Sequence, residues 1–465
     1  MNKQNTPEQE LQAFGYNQQL HRSLNLWHLT AFGLNYMIPI APAIIFGFIL
    51  TTSGGTVVLP YLLAFVGMSF TAMSYAVLIR KFPVAGSLYS YVARGLNPHI
   101  GFLAGWVLLL DYILIPTVTA MSSAMYIKQY FPDVSYEVWL FIFIIGAGVL
   151  NLFNVKLMAK LGIWLLLIGE IVIFVGFFVW SKAVIVNKIG VGHFFSMTPF
   201  DFSSFGALAT ATSIAVLSYL GFDAITTLSE EAINPKRDIP RAIFLSVGIG
   251  AVTMLLTGYI GTLVIPNWKS FANNPNWVST TLFHVSQITG GKIFALFYTS
   301  GFLLAMVVFN VVATAAGARL LFGMGRDGAL PAKIFGAVNR KWKTPHWNII
   351  IIVCLEFLLG SLFQLDKIAE LVNYGALLGF ILLNVTVIVL FIFKKQAIKE
   401  NNNKSFIIFI KYIFFPALGI CVLGWVFLNM HINTLIFGTI WLVIGVVYGL
   451  YISNGYRKLP PNLKL

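Results

Sequence analysis

Charge is the scarcest property of this chain: Asp, Glu, Lys and Arg together make up 10% of its residues, where soluble domains average about 25%. That scarcity excludes an ordinary water-soluble domain. Acidic residues are the rarer kind, 16 against 30 basic, which leaves a formal net charge of +14. Cysteine is nearly absent. Cys354 and Cys421 both sit in apolar runs, which excludes a disulfide framework or a cysteine metal cluster. The 7 His residues form no metal-ligand spacing, and Gly325 to Gly328 lacks the spacing of a phosphate loop. No metal, cofactor or nucleophile–base set is therefore expected, and neither is an enzyme. Residues 1–25 are polar, carry no apolar leader core, and are expected to be a soluble cytoplasmic tail.

What the chain has is apolar length. Apolar residues reach 58% and include 41 Phe, and the 465 residues accommodate roughly twelve crossings of about 20 residues each. Apolar runs fall near 26–50, 57–79, 100–126, 138–155, 161–181 and 207–233, then near 242–265, 293–318, 347–363, 367–393, 407–430 and 434–452. The expected fold is an all-α polytopic membrane protein. With the N-terminus placed inside, 24 Lys and Arg lie on the inner side and 6 on the outer side. That asymmetry is the positive-inside pattern. It predicts cytoplasmic N- and C-termini in the cell's inner (plasma) membrane, and it makes the basic excess an orienting device rather than a nucleic-acid surface.

Two of these spans are interrupted. Span 1 contains Ile38-Pro39-Ile40-Ala41-Pro42-Ala43, and each proline removes a donor and disfavours helix in the residue before it. Span 6 contains Gly221-Phe222-Asp223 beyond its middle. Irregular backbone at membrane depth survives only where it is buried in protein or lines a cavity, and an intramembrane carboxylate is functional by default. Breaks in the first and sixth positions fit two inverted five-span repeats, 26–181 and 207–393, followed by extra helices over 407–452 and a tail over 453–465. Half-helices that begin at such breaks point N–H groups inward and favour an anion such as a carboxylate; half-helices that end there offer carbonyls to an ammonium. A zwitterionic amino acid satisfies both.

Several motifs carry a resemblance. Phe82-Pro83-Val84-Ala85-Gly86-Ser87-Leu88-Tyr89 is similar to a motif of the amino acid–polyamine–organocation superfamily. So are Gly221-Phe222-Asp223, the run Glu230-Glu231-Ala232-Ile233-Asn234-Pro235 with Arg237, and Gly325-Arg326-Asp327-Gly328-Ala329-Leu330-Pro331. Asn97-Pro98-His99, Gly105-Trp106, Leu110-Asp111-Tyr112 and Thr226-Thr227-Leu228-Ser229-Glu230-Glu231 resemble the bacterial putrescine importer group within it. The resemblance implies a twelve-helix fold with broken helices and secondary transport, with the proton as the favoured coupling ion and sodium open. Two departures stand out. The aspartate that putrescine importers carry after the span 1 proline is Ile44 here, and the glycine-rich break of many amino acid members is Ala41-Pro42-Ala43.

Ile38, Ala41, Ala43, Ile44, Tyr112, Tyr219, Gly221, Phe222, Asp223 and Asn310 are the candidate substrate-binding residues. For Asp223 the alternatives are a helix cap, accepting from the N–H of Ile225 or Thr226, and contact with a substrate amine. Asp111 lies about 16 Å along its helix from Ile100, either as a proton site or as a buried strut; Glu170 is the second proton candidate. Tyr219 and Phe222 either close over a solute or pack. Asn310 and Thr314 share a face and either line the cavity or bond between helices. Glu230, Glu231 and Arg237 are inner-gate candidates, against a solvated helix end. Glu356 is deep and carries no assigned role. The resulting expectation is a secondary transporter importing an amino acid or small organic amine. A polyamine importer or antiporter is the alternative, and a non-transporting solute sensor is the alternative of another class.

Overall fold

The computed structural model describes residues 22–37, 40–83, 88–153, 156–229, 231–326, 330–339, 344–392, 405–455 and 457, without the side chains of 153–168, 170, 323, 326 and 405. Ile38, Pro39, the 84–87 part of the loop motif, Glu230, the side chain of Glu170 and most of both tails fall outside that description.

Among the described residues, eight helices are long and apolar enough to cross a bilayer, and Leu26–Met37 with Pro42–Ser53 forms a ninth, bent by 54°. Tyr136–Leu152, Ile171–Ile185 and His346–Leu362 are shorter apolar helices. In chain order these apolar helices are numbered as spans: span 1 (the bent pair), span 2 (Val58–Lys81), span 3 (Pro98–Lys128), span 4 (Tyr136–Phe153), span 5 (Lys156–Ile185) and span 6 (Phe205–Leu228). Span 7 (Pro235–Val264), span 8 (Thr281–Arg326), span 9 (His346–Leu362), span 10 (Leu365–Ile392), span 11 (Phe406–Leu428) and span 12 (Ile432–Ile452) complete the set.

Local chemistry places the helix starts. Asn97 accepts from the N–H of His99 with Pro98 at the first position of span 3, and Ser204 accepts from the N–H of Ala207 at the start of span 6. Both satisfy donors that a helix N-terminus leaves bare. Span 8 begins earlier than its apolar run, at Thr281, because Gly291 takes a positive φ of 71° and joins a short preceding helix to the long one.

Span 6 is the most enclosed crossing, with 72% of its core window buried, whereas spans 11 and 12 have 17%. Spans 1, 2, 7 and 10 surround span 6, and span 3 lies against spans 8 and 10. Span 12 is fastened to span 3 by a reciprocal pair. Trp106 Nε1 donates to the Trp441 carbonyl (2.9 Å), Trp441 Nε1 donates to the Trp106 carbonyl (3.0 Å), and the two indoles stack at 4.9 Å. Buried indoles need such acceptors.

Candidate functional site

The two expected interruptions are present and touch each other. In span 6 the α-helix ends at Ala215, a 3-10 turn covers Val216–Tyr219, and Leu220 is extended at φ −66°, ψ 145°. Gly221 then takes φ +104°, a region that favours glycine. A Cβ built on Gly221 would stand 2.5 Å from the carbonyl oxygen of Tyr36, at the end of the first half of span 1. The two breaks therefore meet at a contact that only glycine permits.

After the break the chain continues as a 3-10 helix over Phe222–Leu228, and it ends five residues short of the expected Ile233. The cause lies in its hydroxyls. Thr226 Oγ1 donates to the Asp223 carbonyl and Thr227 Oγ1 to the Ala224 carbonyl, both at 2.7 Å, and Ser229 donates to Thr226. Side-chain donors at i−3 compete with the α-helical ladder. The capping expected of Asp223 is corrected in its partners. Its carboxylate, 7% exposed, lies near the backbone N–H groups of Gly221, Asp223 and Ala224 rather than those of Ile225 or Thr226, and the Ala224 N–H itself donates to the Gly221 carbonyl at 3.1 Å.

The donors expected at the start of the second half of span 1 are occupied. Pro42 has no N–H; Ala43 N donates to Ile40 O and Ile44 N to Ala41 O, each at 2.9 Å, while Tyr126 holds the Ala43 carbonyl at 2.6 Å. Ala41, Ala43 and Ile44 are each 2% exposed. Of the two helix ends that were expected to attract a carboxylate, the span 1 end is closed by proline and tight turns, and the span 6 end has the carboxylate of Asp223 beside it.

Span 3 supplies the rest of the site. Asp111 and Asp223 lie within electrostatic reach of one another. Tyr36 senses both carboxylates, and so do Tyr112 and Tyr75. One oxygen of Asp111 is buried without a hydrogen-bond partner. Pro116, inside span 3, removes the N–H that the Tyr112 carbonyl would otherwise accept. Helix 3 is thus loosened beside its acidic residue, and Gly317 of span 8 fits against that carbonyl, where a Cβ would come within 2.7 Å. Tyr36, Tyr75 and Arg319, which lies within reach of Tyr36, were not singled out by sequence. Tyr36 sits two residues ahead of the span 1 break, the one signal that pointed to it.

The remaining candidates pack or bond around this cluster. Tyr219 is fully buried and donates to the Tyr61 carbonyl at 3.1 Å. Phe222 is fully buried between Tyr75 (5.8 Å) and Phe380 (5.6 Å). Asn310 Nδ2 donates to the Pro116 carbonyl (2.8 Å) and to Thr119 Oγ1 (3.1 Å), so it bonds between helices.

At the end of the bundle that carries the basic loops, Glu230 of the expected gate lies outside the described residues. Arg237 Nε lies 3.6 Å from Asp238 on its own helix. What joins spans 1 and 6 is backbone. Ser23 N and Leu24 N both donate to the Glu231 carbonyl and Ile233 N donates to the Leu24 carbonyl, all at 3.0 Å. Arg22 adds bonds to the carbonyls of Ser229 (3.1 Å) and Ala232 (2.8 Å).

Comparison with known proteins agrees with this architecture. Over 453 residues the chain is 31% identical to the low-affinity putrescine importer PlaP of Escherichia coli (strain K12), covering 96% of each chain. It is 29% identical over 454 residues, 95% of each, to the branched-chain amino acid permease BcaP of Bacillus subtilis (strain 168). A methylthioribose transporter of the same organism is 26% identical over 463 residues, 96% of each. Residues 28–452 match the amino acid permease family. The chain is a multi-pass membrane transporter for amino acids or amines, not an enzyme, and it belongs to the amino acid permease family.

Proposed function

We propose that the protein imports a small organic amine, such as a diamine, which binds as a cation between Asp111 and Asp223 and is carried by alternating access around the breaks in spans 1 and 6. The observation that carries this reading is that Asp111 and Asp223 lie within electrostatic reach of one another and of Tyr36 and Tyr112, while the first donors of the second half of span 1 are occupied. An ammonium finds acceptors there, and an α-carboxylate finds few donors. Burying two carboxylates without a counter-charge is costly, so a cation is the natural partner. The putrescine importer among the relatives supports the same substrate class.

The amino acid reading is favoured by one feature, Arg319 within reach of Tyr36, and by the branched-chain permease among the relatives. Uptake by proteoliposomes separates the two: labelled putrescine should accumulate and labelled leucine should not, whereas leucine uptake alone would overturn the amine reading. Protons are the proposed coupling ion, with Asp111 as the group that exchanges them. The same reading puts both termini in the cytoplasm and the protein in the plasma membrane, and the Lys and Arg asymmetry of the loops supports that orientation. The division into repeats 26–181 and 207–393, with 407–452 outside them, is part of the same proposal.

A further inference from the structure

Glu356, on span 9, lies outside the site described above and is fully buried. Its Oε1 is 2.9 Å from Thr314 Oγ1, and its Oε2 is buried with no hydrogen-bond partner. Thr314 Oγ1 is also 3.4 Å from Asn310 Oδ1. The orientation of Asn310 is set by its other end, because Nδ2 donates to the Pro116 carbonyl at 2.8 Å and a carbonyl can only accept. Oδ1 is therefore the atom that faces Thr314.

A conflict follows if Glu356 is ionised. The Thr314 hydroxyl carries one hydrogen and faces two acceptors, and the second carboxylate oxygen makes no hydrogen bond, because the two Asn310 Nδ2 hydrogens go to the Pro116 carbonyl and Thr119 Oγ1. A carboxylic acid removes the conflict. Its O–H donates to Thr314, Thr314 donates to Asn310, and Asn310 donates to span 3, so every donor points the same way. Spans 3, 4 and 8 pack against span 9. Among the described residues they bring no charged side chain to Glu356, whose polar side-chain neighbours are Thr314 and Asn310. Asp111 on span 3 and Arg319 on span 8 face Tyr36 and the site instead.

The acceptor at the end of this chain is placed where it matters. Pro116 lies one turn beyond Tyr112, in the stretch of span 3 that the proline has loosened and that Gly317 of the same span 8 supports. Phe309, next to Asn310, meets the Tyr36 ring at 6.3 Å. Span 8 thus touches both helices that face the substrate.

We propose that Glu356 is a proton-bearing positioning residue: as a neutral acid it latches span 3 through Thr314 and Asn310, and loss of its proton releases the segment that carries Asp111 and Tyr112. It touches no substrate. Its effect is on affinity, and it rests on the reading of Asp111 as a substrate carboxylate.

The test measures the KM and kcat of putrescine uptake in proteoliposomes from mildly acidic to alkaline pH, for the wild type, Glu356→Gln, Thr314→Val and Asp111→Asn. In the wild type KM should rise at alkaline pH. Glu356→Gln, which keeps a donor that cannot ionise, should diminish that rise, leaving only the part that Asp111 contributes. Thr314→Val, which cuts the relay with Glu356 intact, should raise KM by about tenfold at every pH, as expected for one buried polar bond, with kcat less affected. An alkaline rise that persists unchanged in Glu356→Gln would overturn the proposal, as would a wild-type KM in Thr314→Val. If Asp111→Asn leaves uptake intact, the reading of the site fails instead, and the two failures are distinguishable.

Discussion

Asp223 stands two residues past Gly221, and the two depend on each other. Gly221 adopts φ +104° and presses against the Tyr36 carbonyl, which turns the N–H groups at the start of the 3-10 segment toward the Asp223 carboxylate. Replacing Gly221 by Ala should cost about 1–2 kcal/mol for the backbone conformation alone, with the 2.5 Å clash added. Thermal unfolding of the purified variant should show a lower midpoint together with lost substrate affinity; an unchanged midpoint would mean that the contact yields easily. Asp223→Asn keeps the shape and removes the charge. A hydrogen bond to a charged group contributes about 1.5–3 kcal/mol, so amine affinity should fall at least about tenfold, which a binding titration reads directly. Affinity for a neutral amino acid, if any is bound, should change much less. The glycine and the aspartate were legible in the sequence because both are anomalous in an apolar run. The aspartate's partners were not, because they depend on whether the next turn is α or 3-10, and the hydroxyls of Thr226, Thr227 and Ser229 decide that.

At the scale of elements, spans 1 and 6 are joined twice, at the Gly221–Tyr36 contact and again where residues 22–24 pair with 229–233. The second junction ties the chain before span 1 to the chain after span 6, and Arg22 is its side-chain anchor. Arg22→Ala should therefore speed hydrogen exchange at the Ile233 amide by about tenfold or more, the effect of losing one charge-assisted bond. Exchange at the wild-type rate would assign the junction to backbone alone. Glu230, Glu231 and Arg237 drew attention in the sequence because they are charged and clustered, and charge is what a reader of sequence can see. The link that formed uses the Glu231 carbonyl, which any residue could supply, so nothing in the residue types announced it. Pro42 was legible as a helix start, yet the same tight turns that begin the helix occupy the donors of Ala43 and Ile44. A free anion site inferred from a helix start holds only if the first turn is left open.

For the whole molecule, hydropathy was a sufficient guide to where the apolar helices lie, because each apolar run must find a helix in the bilayer. It was a poor guide to neighbours. The pairing of span 12 with span 3 through Trp106 and Trp441 joins residues far apart in sequence, and the chain of partners from Glu356 to Pro116 crosses three spans. Both are tertiary facts that no local pattern encodes. The distribution of Lys and Arg predicts cytoplasmic termini, and a reporter active only in the cytoplasm, fused after Leu465, should be active; inactivity would reverse the orientation and exchange the inner and outer labels of every gate.

The central claim is that a cation, held by Asp111 and Asp223, is the solute. Thermal stabilisation of the purified protein by diamines and by amino acids, compared at equal concentration, tests it most directly. Putrescine should raise the unfolding midpoint of the wild type and fail to do so in Asp223→Asn, while leucine leaves both unmoved. Stabilisation by leucine with no response to putrescine would contradict the account.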